Sequence, residues 1–206
     1  MHFVFDFGRV LFNWQPEALL QQVLPRRVVD EASAEHWVAQ VFQSYGGDWG
    51  EFDRGTVEPD ALVQRISQRT GLAPAEVHAV VQAIPATLTP IPASVDLLQR
   101  LQQAGRPMFY LSNMPAPFAD HLEREHAFVR GFTDGVFSAR VKLIKPESAI
   151  FDLASQRFGV PPGELVFLDD SPANVVAARA AGWQALLFTD AAQAEQDLRA
   201  AGWWPA

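Results

Sequence analysis

The sequence predicts an α/β protein: a Rossmann-like parallel sheet with helices on both faces, carrying an inserted helical block. Three observations predict it. From residue 94 onward strand and helix signals alternate, the signature of a parallel sheet covered by helices. Residues 14–88, by contrast, read as successive helices with little strand signal between them. Finally, two apolar runs, Phe3-Val4-Phe5 and Leu165-Val166-Phe167-Leu168, lead directly into carboxylates, Asp6 and Asp169-Asp170. An unpaired buried charge is costly, so acidic groups at the ends of buried strands need partners. The carboxyl ends of parallel strands are also where open α/β sheets bind ligands.

Taken in order, residues 2–7 read as a short buried strand. Helices are expected over 16–24, 33–44, 58–70 and 74–83. In the third of these, Leu62, Val63 and Ile66 keep helical spacing and Thr70-Gly71 reads as a stop. The stretch 86–92, rich in Thr and Pro, is a connector. Ser94 is positioned to cap a helix reaching Ala104, with Gly105 at its end. A strand over 107–111 leads into Ser112-Asn113, a helix follows near 117–126, and a less regular stretch runs to about 143. Pro146-Glu147 opens a helix that ends near Phe158-Gly159, proline being favoured at a first helical position. The strand 165–168 is followed by a helix started by Ser171-Pro172 and stopped at Ala181-Gly182. A strand over 183–188 and a helix over 190–201 complete the chain. The expected division is a core of residues 1–13 and 89–206, with 14–88 inserted into it.

The 206 residues suffice for one large domain or a core with an insertion. Nearly half are apolar and under a fifth charged, an ordinary globular balance. A formal charge of -8 argues against nucleic acid or an anionic membrane as partner. It leaves room for a small anionic substrate, because a metal and a few cations can reverse the field inside a pocket. Cysteine is absent, which removes disulfides, thiolate nucleophiles and thiolate metal sites. The N-terminal MHFVFDFG has neither a basic leader nor an apolar run long enough to span a bilayer, so a cytoplasmic protein, monomer or homodimer, is expected. The five histidines (2, 36, 78, 121, 126) lack metal-ligand spacing.

Four strand ends carry polar groups: Asp6 with Gly8, Ser112-Asn113, Lys145, and Asp169-Asp170. Each has an ordinary reading as well. Asp169-Asp170 ahead of Ser171-Pro172 suits a helix cap and its dipole, and Ser112-Asn113 suits a turn. Independent caps, however, have no reason to recur at all four ends. In order, Phe-Asp-Phe-Gly-Arg-Val-Leu (5–11), Leu-Ser-Asn (111–113), Lys145-Pro146 and Phe-Leu-Asp-Asp-Ser-Pro-Ala-Asn (167–174) resemble the four motifs of the haloacid dehalogenase superfamily. The resemblance covers essentially the whole chain, and the helical block resembles that family's helical cap.

The resemblance implies a Mg²⁺-dependent phosphatase acting on a small phosphorylated metabolite, such as a sugar phosphate, through an aspartyl-phosphate. Asp6 would be the nucleophile. Mg²⁺ would be held by Asp6, Asp170 and the Gly8 carbonyl, with Asp169 ranked behind Asp170 because many relatives have glycine there. Ser112 and Lys145 would hold the phosphoryl group, and Lys145 would keep Asp6 ionised. Asn113 and Arg9 would touch substrate, and Trp14, Trp49, Phe12 and Arg54 are candidates for the cap mouth. Trp37 and Trp203-Trp204 read as packing or partner surface. Asn174 reads either as support behind the acidic pair or as helix surface.

One departure stands out. Most phosphatases of the family carry a second Asp two residues after the nucleophile, a general acid and base worth about 10²–10⁴ in rate. Here that position is Gly8, followed by Arg9. The pattern is similar to a subgroup reading Asp-x-Gly-Asn-Val that includes a bacterial α-D-glucose-1-phosphate phosphatase. The stretches Gly47-Asp48 and Phe52-Asp53-Arg54-Gly55 share in that likeness. Two alternatives follow from the missing acid: a metal-independent 2-haloacid dehalogenase, which would have no use for Asp169-Asp170, or a catalytically weak relative that binds a phosphometabolite or a protein.

Overall fold

In the computed structural model, which describes residues 1–205, β1 (His2–Phe5) lies at the centre of a five-stranded parallel sheet. Its side chains alternate, as the period of a strand requires. Phe3 and Phe5 enter the core on one face and Val4 enters the other. The same alternation runs through β2 (Met108–Ser112) and β4 (Leu165–Asp169), which flank β1 in register, Phe5 lying opposite both Tyr110 and Leu168. Burying each Phe of β1 is worth roughly 1.5–3 kcal/mol, which offsets the cost of desolvating the acidic end of the strand. The outer strands are β3 (Asp134–Phe137) and β5 (Gln184–Leu187), giving the order β3-β2-β1-β4-β5.

Helices cover both faces. The apolar positions of α6 (Pro92–Gln103), α7 (Ala116–Glu125) and α11 (Ala191–Ala200) pack on the Phe3–Phe5 face. Those of α9 (Ser148–Phe158) and α10 (Pro172–Ala180) pack on the Val4 face. Five further helices lie between β1 and α6: α1 (Pro16–Val23), α2 (Glu31–Phe42), α3 (Gly47–Arg54), α4 (Pro59–Thr70) and α5 (Pro74–Thr87). Their buried side chains continue the Phe3–Phe5 core. The outgoing and returning chains are tied where they pass: Asn13 N–H donates to Thr89 O (2.8 Å) and its amide to Thr89 Oγ1 (2.9 Å). No helix among the described residues is long and apolar enough to cross a membrane.

The structure departs from the expected elements at six places. β1 ends at Phe5, because Arg9 takes a left-handed backbone (φ 58) and the N–H groups of Leu11 and Phe12 turn back to the Phe7 carbonyl. Helix α3 was not expected, since Gly47, Asp48 and Gly50 are poor helix formers. Strand β3 was not expected either, since Asp134 and Gly135 are depleted in strands. Helix α5 continues through Pro85 to its last turn, where burial of Ile84 and Leu88 outweighs one missing N–H. Helix α6 starts at Pro92, so Ser94 lies inside it, its buried hydroxyl without a hydrogen-bond partner among the described residues. Helix α9 starts at Ser148 rather than Pro146. The Asn113 side chain clamps the Lys145 peptide from both sides, accepting from its N–H (2.8 Å) and donating to its carbonyl (3.0 Å), which holds this residue out of the helix. Just after Ser138–Val141 (α8), this clamp joins the end of β2 to the loop that carries Lys145.

Candidate active site

The centre of the site is Asp6, one residue beyond the middle strand of the sheet. Its N–H still pairs with Leu168 O (3.0 Å), so its backbone is held by the ladder. Oδ1 accepts from the Phe7 N–H (2.7 Å) and from Lys145 Nζ (2.9 Å). Among the described residues nothing donates to Oδ2, and Asp6 lines the open cleft above the sheet. Lys145 is itself buried, and its three donors are all used: Asp6 Oδ1, Asp169 Oδ2 (2.7 Å) and Leu111 O (3.0 Å). A buried ammonium is tolerable only when paired and fully bonded, and here it is.

The two acids after β4 have different surroundings. Asp169 is wholly buried and saturated by protein donors. Oδ1 takes the Ser171 N–H (2.8 Å), Oδ2 takes Lys145, and the Asn174 amide reaches both oxygens (3.0 and 3.1 Å). Asn174 therefore stands behind the acidic pair. Asp170 is part-exposed and faces the cleft, with Arg9 no nearer than 4.0 Å. One carboxylate oxygen from each of Asp6, Asp169 and Asp170 lies within 4.8 Å of the others. Ser112, buried at the end of β2, and Asn113 complete the polar floor.

Above this floor is a cleft of about 480 Å³. Its floor includes Gly8, Arg9, Ser112, Lys145 and Asp170, but its walls are apolar: Trp14, Trp49, Ile84, Leu88, Met114 and Phe118. Tyr45 also faces the cleft, with its hydroxyl already accepting from the Trp14 indole (2.7 Å). Trp49 forms wall more than mouth, since it is nearly inaccessible and packs edge-on against Phe42 and Phe52. Two expected mouth residues lie elsewhere. Phe12 is fully buried against Phe7 and Phe128, and Arg54 makes a two-pronged ion pair with Glu147 (2.6 and 2.9 Å). Trp37 donates to Arg27 O, and Trp204 lies under Arg100 and Arg199, so both serve packing.

Burial sets the electrostatics. It pushes the Asp6 carboxyl up to about 7, with Lys145 opposing and Asp169 and Asp170 adding to the rise. Asp170 is raised by burial and by Asp169, against Lys145 and Arg9. For Lys145 burial acts downward, but Asp169 and Asp6 outweigh it and keep the ammonium charged. A fourth carboxyl was not foreseen as a site residue. Asp53 of α3 is buried, lines the same cleft, and is pushed up to about 8 by burial, with Lys145 opposing and Asp6 adding. The signal that could have found it was the missing acid at Gly8, which called for a search of the other carboxylates. Nothing in the sequence singled out Tyr45, Met114 or Phe118.

Several known proteins resemble this chain. A sesquiterpene phosphatase from Aspergillus oryzae is 27% identical over 95% of this chain and 93% of its own length. A phosphoglycolate phosphatase from Escherichia coli is 31% identical over 44% of this chain, a match spanning 36% of that protein. A HAD family enzyme from Bacteroides thetaiotaomicron, solved with magnesium and inorganic phosphate, superposes with a TM-score of 0.70 at 21% identity, covering 90% of this chain and 92% of that one. The family model described as haloacid dehalogenase-like hydrolase matches residues 1–182, which takes in β1, β2, Lys145 and β4 with everything placed above them. The chain belongs to the haloacid dehalogenase-like hydrolases.

Proposed function

We propose that the protein is a Mg²⁺-dependent phosphatase that hydrolyses phosphomonoesters with an apolar organic group, through an aspartyl-phosphate on Asp6. The observation that carries this reading is the asymmetric setting of Asp6, whose Oδ1 is held by Lys145 and Phe7 while Oδ2 takes no donor among the described residues and the residue lines the cleft. A carboxylate fixed through one oxygen leaves the other available for in-line attack on phosphorus. Attack gives an acyl phosphate on Asp6 and frees the alcohol; water then releases inorganic phosphate. Lys145 and the Ser112 hydroxyl stabilise charge on the transferring phosphoryl group.

The donor set fits a hard divalent cation, being all oxygen: Asp6, Asp170 and the Gly8 carbonyl. Asp169, already saturated by Lys145, Ser171 and Asn174, supports the site rather than entering the coordination sphere. When bound, Mg²⁺ neutralises the repulsion between carboxylate and phosphate and lowers the raised Asp6 pKa. The acidic pair also argues against a metal-independent dehalogenase, which has no need of it. In this reading residues 14–88 form a cap that excludes water from the reacting atoms.

The cap walls decide the substrate class. Sugar hydroxyls need several unpaired polar partners, and the walls supply few: the Trp14 indole N–H is spent on the Tyr45 oxygen, which leaves the Tyr45 O–H as a donor. Trp14, Ile84, Leu88, Met114 and Phe118 suit a hydrocarbon chain, the kind of group that the name of the Aspergillus relative implies. The test is phosphate release from farnesyl monophosphate, α-D-glucose 1-phosphate and phosphoglycolate, with and without Mg²⁺, alongside halide release from 2-chloropropionate. The expected result is metal-dependent phosphate release, with farnesyl monophosphate favoured at least about tenfold in kcat/KM. Preference for the sugar ester would overturn the substrate class, and metal-independent halide release would overturn the reaction.

A further inference from the structure

The floor of the site lacks a proton shuttle. A Cβ built at Gly8 meets nothing within 4 Å, so the space beside the reacting carboxylate is open and no neighbouring side chain has filled it. Three carboxylates line the cleft: Asp6, Asp170 and Asp53. The first two are committed to nucleophile and cation. Among the described residues no histidine lines it. The Tyr45 hydroxyl, which accepts from the Trp14 indole and keeps its own O–H, is pushed up from the ordinary phenol value by burial, so it is a poor proton donor and no base.

Asp53 remains. It comes from α3, is 5% exposed, lines the cleft, and among the described residues its carboxyl has neither a hydrogen bond nor an ion pair. It is near enough to Asp6 and Lys145 for their charges to act on it. Its position is also unusually fixed for a residue of an inserted block. Ser138 Oγ, at the end of β3, donates to the Asp53 carbonyl (2.5 Å) while accepting from the Met114 N–H (2.8 Å). The next two residues are tied to the core as well, Arg54 by Glu147 and the Gly55 carbonyl by Lys142 Nζ. Proton transfer requires a donor held within hydrogen-bond reach of the reacting group, and these ties hold the α3 backbone against the core.

We propose that Asp53 is the general acid and base of this site, supplying from the cap the proton transfers that position 8 does not supply. The proposal rests on the phosphoryl-transfer reading above. In the first half-reaction an Asp6 oxygen bonds to phosphorus, the ester P–O bond breaks, and the Asp53 proton passes to the departing oxygen to give the alcohol. In the second, Asp53 carboxylate takes a proton from water as its oxygen bonds to phosphorus. The bond from phosphorus to Asp6 breaks, and inorganic phosphate leaves with Asp53 protonated again.

The test is rapid-quench kinetics of Asp53→Asn with two esters, n-decyl phosphate and 4-nitrophenyl phosphate, in the presence of Mg²⁺. An alkoxide needs a proton to leave and a nitrophenolate does not. Phosphoenzyme formation from the decyl ester should therefore fall about 10²–10⁴-fold, while formation from the nitrophenyl ester changes by less than about tenfold. With the second ester, phosphoenzyme should then accumulate, because its hydrolysis has lost the base. Asp53→Ser should show the same split, and thermal melting checks that each variant is folded. Adding Gly8→Asp to Asp53→Asn should recover decyl ester turnover. Unchanged decyl turnover in a folded variant, or equal losses in the rate of phosphoenzyme formation with both esters, would overturn the assignment of Asp53 alone. A wild-type protein that releases phosphate from neither ester would instead overturn the reading beneath it.

Discussion

Asp6, Lys145, Asp53 and Asp169 are four ionisable groups taken out of water within one site, and their partners divide their roles. Lys145 spends its donors holding Asp6 and Asp169, so two of the carboxylates share one cation. Asp53 makes no ion pair with Lys145 among the described residues, and burial is the largest influence on its pKa, with Lys145 opposing and Asp6 adding. That has a consequence for stability. With an unfolded value of 3.8 and a folded value of about 8, Asp53 is protonated in both states below pH 3.8 and costs nothing there. As pH rises toward 8 the unfolded chain gains by ionising and the folded one does not, so stability falls across that window. In metal-free protein, Asp53→Asn should remove this loss. Variant and wild type should differ little in urea denaturation near pH 4, and the variant should be more stable by a few kcal/mol at pH 8. Wild-type stability that rises relative to the variant between those values would contradict a buried neutral acid. At this scale the sequence was legible where an acid closed an apolar strand, as at Asp6 and Asp170. Local pattern did not reveal Asp53, which sits in a helix that glycine and aspartate disguise as a loop; only the acid missing at Gly8 pointed toward it.

At the scale of elements, long amphipathic segments were readable and the short, glycine-bearing ones were not. Leu62, Val63 and Ile66 gave α4 its buried face, and Gly71 ends it in a left-handed conformation (φ 75), as its spacing suggested. Before α3, by contrast, Gln43, Ser44 and Tyr45 all adopt positive φ, a chain reversal that no residue type there announces. Strand β3 was hidden because its glycine serves a neighbour: a Cβ on Gly135 would overlap the ring of Tyr110 on β2. Glycine in a strand is ordinarily a weakness, so an alanine would be expected to help. Here Gly135→Ala should instead destabilise by about 1–3 kcal/mol, measured by denaturation, because the Tyr110 ring must move out of a packed aromatic group with Phe7, Phe132 and Phe137. A neutral or stabilising effect would show that β3 is not packed in this way.

For the molecule as a whole, the alternation of strands and helices was visible in the sequence, whereas the strand order was not, since no local signal encodes which strands become neighbours. The order β3-β2-β1-β4-β5 puts β1 between β2 and β4: the chain runs from β1 outward through β2 to β3, then crosses back to β4 on the other side of β1 and on to β5. At such a switch point the strand ends splay and leave a crevice. That is why residues as distant in sequence as Asp6, Ser112, Lys145 and Asp170 meet, and residues from between β1 and α6, such as Trp14, Trp49 and Asp53, line the same cleft. The central claim is that the crevice forms a covalent phosphoryl intermediate on Asp6. Its most direct test is mass spectrometry of protein acid-quenched during turnover of 4-nitrophenyl phosphate with Mg²⁺. One added phosphoryl group is expected on the peptide containing Asp6, absent without Mg²⁺ and absent in Asp6→Asn. Phosphate release at the wild-type rate by Asp6→Asn, or a phosphoryl group on any other residue, would contradict it.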